Sequence, residues 1–191
     1  NKTQITRLIE LTNAYEDIVS SASIGNEASV SWTDHMVTTE SLIRYARLLK
    51  AGISKPITFC ENYVPWLDKL KPLAEELDVI AIHTYPVWEY KGIEEGLSYT
   101  IENYKAVAEA YPDKQVIITE AGWATNANGF GIDPKNVNEE FQEQYYQELM
   151  AWAEKEQILV YYFEAFDENW KGSDDPLEPE KHWGLYKADR T

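Results

Sequence analysis

Five short apolar runs, each closing on polar residues, constrain this chain more than any other feature. They cover residues 18–24, 57–60, 79–83, 116–119 and 158–163. Each is rich in β-branched or aromatic residues and apolar at successive positions, so both faces are expected to be covered, as in a parallel sheet. Helical stripes lie before and between them: Ile5, Leu8, Ile9 and Tyr15; Leu42, Ile43, Ala46 and Leu49; Ile101, Tyr104, Ala108 and Tyr111; Phe141, Tyr145, Leu149 and Trp152. Gly52 is expected to close the second stripe in a left-handed conformation, and Pro112 closes the third. A weaker helix is expected over 65–77, faulted at Pro72. Strand and helix alternate throughout, with no repeat, low-complexity stretch or linker. This predicts one α/β domain over residues 1–191 with a parallel sheet. The sheet is either open and doubly wound, or part of an eight-stranded barrel. A whole barrel takes about 250 residues, so five strands in 191 residues would make an incomplete one.

The polar residues separate these options. The first run leads into Gly25, Asn26 and Glu27, the second into Glu61, Asn62 and Tyr63, and the third into His83, Thr84, Tyr85 and Pro86. The fourth leads into Glu120, Ala121, Gly122 and Trp123, and the fifth into Glu164, Ala165, Phe166, Asp167 and Glu168. Barrels build active sites at this C-terminal face from several strands. A doubly wound sheet would carry a glycine-rich phosphate loop after its first strand, whereas Gly25 stands alone. Acidic residues after strands also serve as helix caps, so no single glutamate here is decisive. Glu27 and Glu120, each set among small residues and aromatics, form the stronger pattern.

Other chemistries are excluded or unsupported. No serine sits in a Gly-x-Ser-x-Gly elbow. His35, His83 and His182 lack metal-ligand spacing and read as hydrogen-bonded side chains, so no metal is expected. Cys60 is the sole cysteine, which excludes an internal disulfide. A net charge of −16 would repel a phosphate backbone, so nucleic acid is not an expected partner. No run of 18 apolar residues is present, so no membrane-spanning helix is expected. The sequence opens at Asn1 without a leader pattern. The 7 Trp and 13 Tyr offer flat apolar faces with polar edges, suited to a neutral sugar. A carboxylate pair in such a setting is the equipment for cleaving a glycosidic bond.

Four segments carry a resemblance to glycoside hydrolase family 17, the β-1,3-glucanases and related bacterial β-glucan transglycosylases. They are Ile24-Gly25-Asn26-Glu27, His83-Thr84-Tyr85-Pro86 and Ile118-Thr119-Glu120-Ala121-Gly122-Trp123, then residues 163–170 together with 180–186. They follow family order over nearly the whole chain. The resemblance implies a (β/α)8 TIM barrel whose strands four to eight are present here and whose strands one to three lie outside this sequence. It implies Glu27 as acid/base and Glu120 as nucleophile. Asn26 resembles the residue that binds the sugar 2-hydroxyl, Tyr85 is placed to touch the nucleophile, and Trp123 resembles a sugar-stacking platform. Glu168, Lys171 and Glu180 match the family's substrate-binding cluster, and Trp183 is expected in the core. Thr119 and Ala121 around Glu120 depart from the plant Ser-Glu-Ser-Gly-Trp pattern. With His83 and Glu164, they resemble a bacterial member.

The implied reaction is retaining hydrolysis of a β-1,3-glucan with no cofactor. A transglucosylase, or an inactive glucan-binding barrel fragment, remains open as an alternative. The implied partners are the glucan and the missing N-terminal part of the same barrel. A secreted, periplasmic or cell-surface location is implied by the substrate class.

Overall fold

The computed structural model describes residues 2–190. Two compact units divide the chain, and β4 (Gln115–Ala121) runs from the first into the second. The first unit holds residues up to His83 together with Lys105–Ile117. It contains α1 (Lys2–Ala14), β1 (Ala22–Asn26), α2 (Thr39–Gly52), β2 (Ile57–Asn62), α3 (Tyr63–Trp66), α4 (Lys71–Ala74) and β3 (Val79–His83). β1 pairs in parallel with β2, Ala22 facing Ile57, with an irregularity just before Asn26. β2 pairs in parallel with β3, Asn62 facing His83.

The apolar runs bury as expected: Ile57, Phe59, Ile80, Ala81 and Ile82 are sealed from solvent. Leu42, Ala46 and Leu49 line the buried face of α2, four and three residues apart. Thr38 caps that helix by accepting from Ser41 N–H. Trp66 packs edge-on to Phe59 at 6.0 Å between ring centroids. Its indole N–H donates to Ala81 O at 3.1 Å, so the apolar ring is buried while its polar edge is satisfied.

Three local expectations are corrected here. β1 begins at Ala22 rather than residue 18, because Ile18 lies 74% exposed in a turn after α1. α2 runs through Gly52, and Ile53 follows in extended conformation at φ −137°. Gly52 is instead a close-approach residue: a Cβ there would lie 2.7 Å from Ile9 Cδ1 on α1. The weak helix over 65–77 is two short helices, and Pro72 sits in the first turn of α4, where its missing N–H removes no helical bond.

The second unit holds Thr84–Tyr104 and the chain from Ile118 onward. Most of α5 (Ile93–Ala110) lies here, with the end of β4, α6 (Glu139–Glu156) and β5 (Val160–Tyr162). β4 and β5 are parallel, Ile118 facing Val160 and Ala121 facing Tyr162. Asn138 caps α6 by accepting from Phe141 N–H at 2.7 Å. Trp123, Tyr145 and Trp183 are buried at its centre. Gln142 stitches two of them by donating to Trp123 O at 2.8 Å and Trp183 O at 3.2 Å. A Cβ at Gly122 would fall 2.0 Å from Phe163 O, so only glycine lets β4 leave the sheet against this backbone. β5 is shorter than the expected 158–163, and Tyr161 is 54% exposed, so this strand alternates instead of burying both faces. Among the described residues, no helix is long and apolar enough to cross a membrane.

Candidate active site

In the first unit, Glu27 follows the last residue of β1. Its φ of +44° is left-handed, a conformation that a side chain disfavours and that persists only where neighbours enforce it. Its backbone N–H donates to Cys60 O at 2.9 Å. The carboxyl reaches two partners: Oε1 lies 3.0 Å from His83 Nδ1, and Oε2 accepts from Trp32 Nε1 at 3.3 Å. The His83 side chain is 1% exposed and that of Glu27 is 23% exposed, so the carboxyl keeps an open side. Burial pushes Glu27 up, but the hydrogen bond and charge of His83, aided by Trp32 and His35, outweigh it and hold the carboxyl below its ordinary value. Asn26 is exposed at the end of β1, and its carbonyl oxygen lies 3.1 Å from His35 Nε2.

In the second unit, Glu120 stands one residue before the end of β4 and is half-buried. Tyr85 O–H donates to its Oε2 at 2.6 Å, as expected of a residue placed against it. The Tyr85 ring is itself held edge-on by Phe163 at 5.9 Å and Trp183 at 5.0 Å. Trp183 is 1% exposed, in the core as expected.

Glu168, Lys171 and Glu180 come together. Lys171 Nζ lies 3.4 Å from Glu168, 3.3 Å from Glu180, and 4.5 Å from the centre of the Phe163 ring. Burial alone would lower Lys171, yet the surrounding carboxylates raise it. Glu164 belongs to this group although the motif match did not assign it. Burial pushes its carboxyl up to about 7, with Lys171 pulling it down and Glu168, Glu180 and Asp167 adding to the rise. Its Oε1 is buried without a hydrogen-bond partner among the described residues.

Trp123 is a correction. The indole is fully buried, its ring 5.2 Å from Tyr145 and its N–H donating to Asn136 O at 3.0 Å. It is a core residue and presents no face to a sugar. His83 is the residue the sequence reading passed over. Its place as the last residue of β3, two before Tyr85, was the signal, but its partner Glu27 lies 56 positions away.

The Glu164 titration has a measurable consequence. In the folded protein this carboxyl binds its proton more tightly than in the unfolded chain, where it returns to 4.5. Its contribution to stability is therefore full below pH 4.5 and is lost as pH rises through about 7. The thermal midpoint of wild type relative to Glu164→Gln should fall over that interval. A pH-independent difference between the two would contradict the assignment.

Comparison with known proteins gives a family match for the chain. A family model described as the BtgE/BtgC glycoside hydrolase domain matches residues 1–184. A glucan 1,3-β-glucosidase of Arthroderma benhamiae is 25% identical over 206 residues, covering 99% of this chain and 65% of its own length. An endo-laminarinase from Formosa Hel1_33_131 aligns with a TM-score of 0.89 at 25% identity, over 98% of this chain and 59% of that one. A glycoside hydrolase family 17 β-1,3-glucanosyltransferase from Rhizomucor miehei aligns with a TM-score of 0.78 at 23% identity, over 96% of this chain and 66% of that one, and bears on the fold alone. The chain spans less than two thirds of the length of each of these proteins. Arthroderma is a fungus, so the expected bacterial character gains no support from that relative. The parallel strands fit a TIM-barrel-like fold. On the match across residues 1–184, the chain belongs to the BtgE/BtgC glycoside hydrolase domain family.

Proposed function

We propose that this chain is the catalytic portion of a retaining β-1,3-glucan hydrolase, with Glu120 as nucleophile and Glu27 as acid/base. The observation that carries the reading is that both carboxyls stand at the C-terminal ends of parallel strands, each partly open and each fixed by its own hydrogen-bonding partner. The five strands are assigned to positions four to eight of a (β/α)8 barrel, within a single glycoside hydrolase domain. Retention requires the two carboxyls about 5 to 5.5 Å apart in the working enzyme.

Glu120 attacks the anomeric carbon while Glu27 gives its proton to the departing glucosyl oxygen. Glu27, now a carboxylate, takes a proton from the water that attacks the same carbon and expels Glu120. The pull of His83 on Glu27 suits the second step, where the ionised form is the base. A glucan lying over the open side of Glu27 strengthens burial, the contribution that raises its pKa, and so favours the protonated form needed first. Tyr85 O–H donates to the nucleophile and fixes its direction. Asn26 faces the sugar 2-hydroxyl, and the Glu168–Lys171–Glu180 group binds hydroxyls at the rim. A polymeric wall or storage glucan as substrate implies work outside the cell.

The experiment is incubation of the purified full-length protein with laminarin. Release of reducing glucose oligomers supports the reading. Longer or branched products in place of reducing ends assign the transglucosylase alternative, in which a sugar hydroxyl takes the place of water. Binding without any product assigns the inactive form.

A further inference from the structure

Glu61 is the most deeply buried carboxylate near Glu27, and the mechanism above gives it no work. Its side chain is sealed from solvent, at 0% exposure on β2. A carboxylate so placed is costly unless its oxygens are filled. Three donors fill them: Ser29 N–H at 2.9 Å and Ser29 O–H at 2.7 Å on Oε2, and Asn62 N–H at 2.8 Å on Oε1. Burial pushes Glu61 up and the charge of Glu27 adds to that rise, while these three donors oppose it.

The donors tie Glu61 to the segment that carries Glu27. The left-handed backbone of Glu27 is gripped on one side by Cys60 O, which accepts its N–H at 2.9 Å. On the other side, Glu61 holds both the amide and the hydroxyl of Ser29. Two consecutive residues of β2 thus clamp the chain at the strained position and two residues beyond it. Val37 N–H donating to Ala28 O at 2.7 Å and Lys69 Nζ donating to Ser29 O complete the hold. Both oxygens of Glu61 face backbone N–H groups, so an amide there would turn its own N–H toward one of them, whichever way it lay.

Resting on the proposed acid/base role of Glu27, we infer that Glu61 is a positioning residue for it: by gripping Ser29, its buried carboxylate fixes the direction in which Glu27 meets the departing oxygen. A departing oxygen that needs a proton feels this placement. A leaving group that departs unaided, such as 2,4-dinitrophenolate, does not.

The test compares kcat/KM on laminarin and on a 2,4-dinitrophenyl β-glucoside for the full-length wild type, Glu61→Gln, Ser29→Ala and, as control, Glu27→Ala. Glu61→Gln should lose roughly 10²-fold on laminarin and Ser29→Ala about tenfold, the scale of a misplaced catalytic group, with the aryl glucoside held within about threefold. Ser29→Ala decides the matter if Glu61→Gln does not fold. Equal losses on both substrates, or none in folded variants, would overturn the inference. If Glu27→Ala gives the substrate split and the other two do not, Glu61 alone is reassigned. If Glu27→Ala gives no split, the acid/base assignment fails and takes the inference with it.

Discussion

Replacing Glu120 by alanine is expected to lower kcat/KM on laminarin by at least about 10⁴-fold, or roughly 5 kcal/mol of transition-state stabilisation. The size follows from the proposed role, in which the carboxylate forms the covalent bond to the anomeric carbon. Tyr85 O–H, 2.6 Å from the carboxylate, would lose its acceptor, yet its ring stays wedged between Phe163 and Trp183. The variant should therefore fold. Supplied azide should restore cleavage of an activated aryl β-glucoside, because the small anion enters the face the carboxylate left. The product would be the α-glucosyl azide. Normal glucanase activity in Glu120→Ala would remove Glu120 from the mechanism.

The second large effect is Glu27→Ala, expected to cost about 10³-fold on laminarin, within the range of a lost general acid. The loss should depend on the leaving group, since kcat/KM on a 2,4-dinitrophenyl β-glucoside needs no proton donor in the first step. Azide should accelerate release of the covalent intermediate and yield the β-glucosyl product, the anomer opposite to that from Glu120→Ala. The pair of products assigns the two roles independently. A uniform loss on all substrates would mean that Glu27 has a different role.

What could be read from the sequence is what is local along it. The strand-end glutamates were legible because a strand exit and its polar tail are contiguous, and the segments at Asn26–Glu27 and Thr119–Glu120 fall where β1 and β4 end. Tyr85 was legible for the same reason, two residues past β3. Trp123 was misread because its environment is made by distant residues. A Cβ at Gly96 would lie 2.7 Å from its ring, and Tyr145 and Asn136 close the other sides. Gly52 was read as a left-handed helix cap, whereas the deciding contact is with Ile9, from a different helix. His83 and Glu61 were hidden for a related reason. A histidine or glutamate on an apolar strand reads as any satisfied polar residue until its partner is known, and those partners, Glu27 and Ser29, lie 56 and 32 positions away.

The pairing of Glu27 with Glu120 in a double displacement makes one claim about stereochemistry. It is tested by following laminarin cleavage with proton nuclear magnetic resonance and recording the anomer that appears first at the new reducing end. Two successive inversions at the same carbon predict that the β-anomer forms first, with the α-anomer growing in later by mutarotation. First appearance of the α-anomer would mean a single inversion, with Glu120 acting on water instead of on carbon, and would contradict the account.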